Sequence, residues 1–580
     1  MSRRDVYIDF YLLCYNLLLY NEIATDGEVL SKQEAIKEKG LMFFRFQLIV
    51  LVGVSLCAAA LVIMAGGCSK EYHKADADKE VYKIIDSKWQ EGFGQKVNYT
   101  ISDVPASPND IQIEKAVPPS RTISLAQAAA MATAYNREYQ RQKEELYLIA
   151  LALTLDRHDF ATKWFGTFDS TYTRYTDDST LERDETLKHE GELGFEQLLA
   201  DGAQISASIA YDWLRYLTGD PRASIGTVLS ATLIQPLLRG SGRKVVQEKL
   251  TQAERGTLYQ IRAFNRYRKT FVVSIVNDYY RVLQRRDAVT NAENNYKRRV
   301  ESRQRLEMEA DAGRTNRFEV DQAEQRELNA LDSYVRAQQS YQQELDKFKI
   351  RLALPTDANV ELDQNELKAL EKVGISQPDY TADTAIETAL LRRLDLATSM
   401  DKIDDALRKV MVAADGLGPE LDLVGGLEVG STPDTDYRRL QFHHGTYSFG
   451  LGADLPLDRK EERNVYRETL ITLEQQQRQY ENDADIIKLQ VRQAYRDLEQ
   501  AAESHRIQKN SLDLAEKRVE STTLLLEAGR LTTRDVLESQ DALLEAQNNL
   551  TAALVDHAIA KLSFFRDIGI LQVKPDGMWR

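Results

Sequence analysis

The sequence predicts an α+β membrane protein built from two copies of one unit, an amphipathic helix, a β-hairpin and a long helical hairpin. Three observations predict it. A glycine-centred phrase occurs twice, as Asp311-Ala-Gly-Arg-Thr-Asn-Arg-Phe-Glu-Val320 and as Glu527-Ala-Gly-Arg-Leu-Thr-Thr-Arg-Asp-Val536, and Phe348 and Phe564 keep the offset that separates Gly313 from Gly529. The twelve prolines leave two clear stretches of equal length, 237–354 and 457–574, as long helices require. Period-two runs rich in aromatic and small residues precede Pro236 and Pro456 at corresponding points.

The 580-residue chain is 43% apolar and 28% charged, which suits an ordered protein. A net charge of −15 without a basic groove speaks against nucleic acid as a partner. The three cysteines, Cys14, Cys57 and Cys68, all lie near the N-terminus, so the body holds neither a disulfide nor a thiolate metal site. His443 and His444 are the one adjacent histidine pair; on the strand expected there they face opposite sides, which disfavours a metal site. No cofactor motif and no catalytic constellation is visible, so no enzyme is expected.

Leu48–Gly67 is an uncharged apolar run that follows Arg45 and ends in small residues before Cys68. A basic start, an apolar stretch and a small-residue exit make a secretory signal over 42–67. A plain transmembrane anchor of about 20 residues is the alternative, but a span has no need of Gly-Gly-Cys at its exit. Met42 is the expected start, with 1–41 an upstream artefact or cytoplasmic leader; Lys37-Glu-Lys-Gly40 suits a translated ribosome-binding site. Residues 68–122 are polar and contain Pro105, Pro108, Pro118 and Pro119, and are expected to form an extended linker from a lipid anchor.

Repeat 1 is expected over 123–357, an inter-repeat connection over 358–380, repeat 2 over 381–572 and a tail over 573–580. Opening helices are expected near Leu125–Leu155 and Ala382–Ala414. Alternating stretches follow at Thr162–Tyr175, Gln204–Trp213 and Ser224–Ile234 in the first repeat, and at Glu420–Val429 and Thr446–Leu455 in the second. Between the opening helix and the proline the first repeat is longer. The excess centres on Asp177–Glu190, whose charges predict a solvent-exposed loop.

The long arms are periodic. Leu258, Ile261, Phe264, Phe271, Ile275, Tyr279 and Val282 share one helical face. Ala484, Val491, Leu498, His505, Leu512, Val519 and Leu526 recur every seventh residue, with Ile487, Ala494, Ala501 and Ala515 as the companion line. His505 is expected to pack in the heptad. The arm from Leu237 to Gly313 would rise roughly 110 Å, which predicts coiled-coil packing. Heptads alone would fit a dimeric coiled coil; the flanking period-two runs argue against it.

Leu233-Ile-Gln-Pro-Leu-Leu-Arg-Gly240, Leu455-Pro-Leu-Asp-Arg-Lys460 and the two glycine phrases together resemble the outer-membrane efflux proteins, of which TolC is the type member, over roughly residues 123–572. Met64-Ala-Gly-Gly-Cys68 is similar to a bacterial lipobox, with Ala65 where leucine is usual. That likeness implies acylation at Cys68, palmitate included, and Ser69 in place of aspartate implies outer-membrane sorting. The family resemblance implies a homotrimer in which four strands per protomer close a twelve-stranded β-barrel, continued by a periplasmic α-helical barrel. Pro236 and Pro456 would mark the strand-to-helix junctions. Gly313, Arg314, Gly529, Arg530, Leu531 and Thr532 would form the periplasmic tips.

The resemblance implies docking on a periplasmic membrane-fusion adaptor and on an inner-membrane pump, ion-driven or ATP-driven. It places Asp535, Glu538 and Glu319 at the pore constriction, where like charges around one axis attract cations. Leu526 and Leu531 depart from the polar latch residues of relatives. The expected function is therefore a passive outer-membrane exit duct of a tripartite efflux or secretion system, lipid-anchored and extending into the periplasm. A lipid-anchored coiled-coil tether without channel activity is the alternative. Proteomics of whole cells tests the start site: no tryptic peptide from Asp5–Lys32 is expected, and finding one would refute a start at Met42.

Overall fold

The computed structural model describes residues 69–90, 93, 96, 99–101, 121–176, 183–216, 223–376, 378–432, 436–455, 457–574 and 578. The chain falls into two units, Met1–Asp78 and Lys79–Arg580. The expected leader, the signal segment 42–67, the acylation site Cys68 and the junction residue Pro456 lie outside the described residues.

In chain order the elements are α1 (Lys70–Lys88), β1 (Thr122–Ile123), α2 (Leu125–Tyr135), α3 (Arg137–His158), β2 (Lys163–Thr176), β3 (Arg183–Leu198), β4 (Gln204–Tyr216) and β5 (Ala223–Pro236). A short α4 (Arg243–Val246) leads into α5 (Glu248–Asp311) and α6 (Arg317–Arg351), then β6 (Glu361–Leu362) and α7 (Asn365–Val373). The second repeat runs α8 (Ala382–Arg392), α9 (Leu394–Asp415), β7 (Glu420–Thr432), β8 (Asp436–Leu440), β9 (Thr446–Asp454), α10 (Lys460–Glu527) and α11 (Thr533–Asp567). β1 pairs with β6 in parallel, which ties the entry of the first repeat to the inter-repeat connection.

Five expectations change, the last in the long arms below. Residues 70–88 of the supposed extended linker are helical, and Val81, Ile84 and Ile85 are buried in the main core. Their helical spacing is masked in the sequence by the surrounding lysines and acids. Arg183–Glu190, expected in a charged loop, is the first half of β3, so the first repeat supplies four long strands where one hairpin was expected. Each opening helix is two helices, interrupted at Asn136 (ψ 128°) and Arg393 (ψ 122°). Tertiary bonds hold these breaks: the Asn136 amide donates to the Arg351 carbonyl at 2.8 Å, and Arg393 donates to Gln490 at 2.7 Å. His443 and His444 sit in a single 3-10 turn and not on a strand.

The long arms form as the periodicity requires. α5 has 64 residues and α10 has 68, each about 100 Å of helix. The first arm starts at Glu248 and not at Leu237, because Gly240 and Gly242 take positive φ and turn the chain first. Ile261, Phe264, Phe271, Ile275 and Tyr279 are buried, with Tyr139 ring-to-ring at 5.7 Å from Phe264 and 5.1 Å from Phe271. In the second repeat Ile487, Val491, Ala494 and Leu498 pack with Ala385, Ala389 and Phe564. Ion pairs link α5 to α9: Arg255 to Asp405 at 2.9 Å, Arg262 to Asp401 at 2.6 Å, and Arg408 to Glu248 at 2.8 Å.

Because α1 is part of the core, Ile84→Ala is expected to cost about 2–5 kcal/mol, read as a lower urea midpoint of the solubilised protein. An unchanged midpoint would mean that the segment is a loose tether after all.

Candidate functional site: the sheet and the helical tips

β2, β3, β4, β5 and β7 pair antiparallel in that order, and β8 and β9 lie end to end along the far side of β7. The registers fix which side chains share a face, since neighbours along a strand alternate. One face carries Trp164, Phe168 and Tyr172 on β2, which register opposite Phe195, Gly191 and Leu187 on β3. It continues through Ile209 and Trp213 of β4, Leu229 and Leu233 of β5, Leu423 and Leu427 of β7, and Leu451 and Phe449 of β9. Many of these side chains are exposed, Trp164 at 72% and Phe449 at 80%. The opposite face is mostly polar: Thr167 and Asp169, Glu190 and Glu192, Ser206 and Ser208, Thr232, Glu428 and Ser448. An apolar face of this extent, left open to the surroundings, suits contact with lipid. Among the described residues no helix is long and apolar enough to cross a membrane.

The strand-to-helix junction is a tight collar. Pro236 registers with Asp422, the Leu237 amide donates to the Leu421 carbonyl at 2.7 Å, and the Gly240 amide donates to the Asp415 carboxylate at 2.8 Å. The β3–β4 turn docks beneath it. Gly202 has φ +101°, and a Cβ there would meet the Gly240 carbonyl oxygen at 2.9 Å and Pro236 Cγ at 3.0 Å. Sequence reasoning missed this contact; the signal was present in the Asp201-Gly202 pair ahead of a period-two run.

At the other end of the long helices, both glycine phrases close the same C-cap. Gly313 (φ +71°) donates to the Ala310 carbonyl at 2.9 Å and Arg314 donates to Glu309 at 2.8 Å; Gly529 (φ +68°) donates to Leu526 and Arg530 to Leu525, each at 2.9 Å. This paired bonding is a Schellman motif, which satisfies carbonyls left over at a helix end. A Cβ added at either glycine would meet nothing within 4 Å, so backbone conformation and not crowding requires glycine there. Arg314, Arg530 and Thr532 are exposed and Leu531 is half-buried.

The three acidic residues expected at a constriction have distinct partners. Asp535 accepts from the Thr532 amide at 3.0 Å and from its hydroxyl at 2.6 Å, so it caps α11; these bonds hold its carboxyl below the usual aspartate range. Glu319 accepts from the Thr533 hydroxyl at 2.9 Å, which links the first tip to the second. Glu538 is exposed and lies 3.9 Å from Arg518. Arg299, wholly buried, adds a second link between the hairpins through the Leu537 carbonyl at 2.8 Å and the Asp541 carboxylate at 2.5 Å. His505 is half-buried on its heptad line, and burial, with Lys509 nearby, pushes its imidazole pKa down. Among the described residues no cluster of His, Cys, Asp and Glu could hold a metal.

The family model described as outer membrane efflux protein matches residues 385–566. No curated relative matches at the sequence level. Solved structures with the same fold include the CmeC outer membrane channel of Campylobacter jejuni (14% identity, 77% of this chain and 85% of that chain, TM-score 0.56). They also include the outer membrane protein VceC of Vibrio cholerae (12% identity, 77% and 96%, TM-score 0.55). A third is the open state of the MtrE outer membrane channel of Neisseria gonorrhoeae (14% identity, 78% and 90%, TM-score 0.56). At these identities the likeness is one of fold.

The backbone requirement at the tips sets an expected outcome. Gly529→Ala should weaken the turn by about 1–2 kcal/mol, whereas Gly529→Asn, which tolerates positive φ, should cost less. Hydrogen exchange of the tip amides measures both; equal protection in Gly529→Ala and the parent would contradict the requirement.

Proposed function

We propose that this chain, whose residues 385–566 carry the outer membrane efflux protein domain, is the outer-membrane channel of a tripartite efflux or secretion system. It acts as a passive homotrimeric duct, lipid-anchored at Cys68, and is not an enzyme. The observation that carries the reading is a single geometry. A sheet that is apolar on one face and polar on the other is joined, at one end, to helices about 100 Å long that finish in paired glycine turns. The apolar face sits in outer-membrane lipid, the polar face lines the pore, and the helices carry the pore across the periplasm. The tips at Gly313–Arg314 and Gly529–Thr532 then meet a periplasmic adaptor and, through it, an inner-membrane pump.

A passive duct needs a way to stay shut. Asp535, Glu538 and Glu319 stand just beyond the tip turns, and three copies would ring the axis with like charge, drawing in cations and slowing anions. Work must come from the partner pump, because the chain offers no phosphate loop and no nucleophile constellation. A coiled-coil tether would explain the helices, but it gives the apolar sheet face no use.

Single-channel recording in planar bilayers tests the reading. The purified protein is expected to insert and conduct with cation preference; a protein that inserts without conducting under any condition would favour the tether. Asp535→Asn with Glu538→Gln removes the charge while leaving an acceptor at the α11 cap. This double variant is expected to raise conductance and weaken block by multivalent cations, and unchanged block would place the constriction elsewhere.

A further inference from the structure

We propose that β2 and β3 are wall strands of the outer-membrane barrel, so that three copies of this chain close an eighteen-stranded barrel by pairing β9 of each copy with β2 of the next. The proposal rests on the duct reading and departs from the twelve strands that the family resemblance implies.

The hairpin is built into the sheet and does not lie over it. β2 and β3 have 14 and 16 residues, more than the 9–11 that a tilted strand needs to cross a bilayer. β3 pairs with β4 without a register shift from Thr186↔Tyr216 to Leu198↔Gln204. The two faces keep their character across the seam. Phe168, His189 and Trp213 form a stack over β2, β3 and β4 on the apolar side, with ring centroids 6.0 and 5.0 Å apart. On the polar side Thr167 and Asp169 register with Glu192 and Glu190, while nearer the base the Phe165 ring packs over Gly194, where a Cβ would come within 2.6 Å of it. At its base the β3–β4 turn is seated under the Pro236 collar, where the Gly242 amide donates to the Asp201 carbonyl at 3.0 Å.

The edges identify the occupant. β2 pairs only with β3, and the far side of β9 pairs with nothing among the described residues. Both edge strands carry apolar side chains on the face assigned to lipid, so their free amides and carbonyls would lie in hydrocarbon, which no stable membrane sheet tolerates. A second copy supplies the matching edge. With six strands per chain, β2 starts at the helical end and β9 finishes there, so the pair between copies is antiparallel, like every other pair in the sheet. Barrel diameter grows roughly linearly with strand number, so eighteen strands give a mouth about 1.5 times as wide as twelve. The added wall also places Asp169, Glu190, Glu192 and Glu196 on the lumen side.

Disulfide trapping in outer membranes tests the seam. Thr167→Cys, Asp169→Cys or Thr171→Cys on β2 is combined with Ser448→Cys or Gly450→Cys on β9, with native mass spectrometry run on the same preparations. In the register that brings a pair together, oxidation is expected to convert most of the monomer band into covalent dimer and trimer on denaturing gels. The competing combination sets Ser206→Cys or Ser208→Cys on β4 against the same β9 positions. A trimeric native mass with β4–β9 bridges, or with no β2–β9 bridge in any register, overturns the eighteen-stranded wall and leaves the duct reading standing. A monomeric native mass overturns both.

Discussion

Where strand becomes helix, the chain has to turn its apolar side around. In the sheet, alternate residues put Leu229 and Leu233 on the apolar face, with a polar face behind them. A few residues later, every third or fourth residue of α5 must face inward, toward neighbouring helices. The segment 237–242 makes that change without regular structure of its own. Its amides reach across to Leu421, Pro419 and Asp415, and Gly240 and Gly242 supply the positive φ that re-aims the chain. Both the placement of the sheet above and the packing of the helices below depend on this short collar, which explains why the β3–β4 turn is seated against it too.

The helical part rests on a different balance. α5 and α10 are polar over most of their surface, so each is held by one apolar line and by partners placed at intervals. Near the collar these are the arginine–aspartate contacts between α5 and α9; in the middle they are the aromatic cluster around Phe264, Phe271 and Tyr279; near the tips they are Arg299 and the Glu319–Thr533 bond. Ion pairs that are partly exposed contribute little each, so the aromatic middle carries most of the stability. Toward the tips the apolar clusters are small, Leu306 with Val320 and Ala323 in one hairpin and Ala515 with Leu543 and Ala546 in the other.

How far the sequence could be read depended on what each residue was asked to do locally. The tip turns were legible because positive φ leaves glycine as the default, and the long arms were legible because their period persists over many turns. β3 was not, although Leu187, His189, Gly191, Leu193 and Phe195 alternate strictly with Lys188, Glu190 and Glu192. The polar face of a sheet is allowed to be charged, so the local charge density pointed to a loop while the period of two pointed to a strand, and the period was the better guide. α1 was hidden similarly: Val81, Ile84 and Ile85 occupy a narrow stripe on an otherwise charged helix, and only their burial in the main core reveals them. The helix breaks at Asn136 and Arg393 were invisible because their bonding partners, Arg351 and Gln490, are far away in sequence. For the acidic residues that the resemblance places near the tips, the sequence did not show the local bonds: Asp535 caps α11 and Glu319 bonds Thr533 of the other hairpin.

The open space around Gly313 and Gly529 has an evolutionary consequence. Each tip fixes its backbone with one glycine and a few main-chain bonds, while the side chains displayed around it carry almost no folding burden. Arg314, Arg530 and Thr532 point outward from a frame that does not need them for its shape, apart from Thr532 at its cap. Such a surface can be rewritten residue by residue while the turn survives. A lineage can therefore change the chemistry displayed at this end by point substitution, at little cost to the fold that presents it.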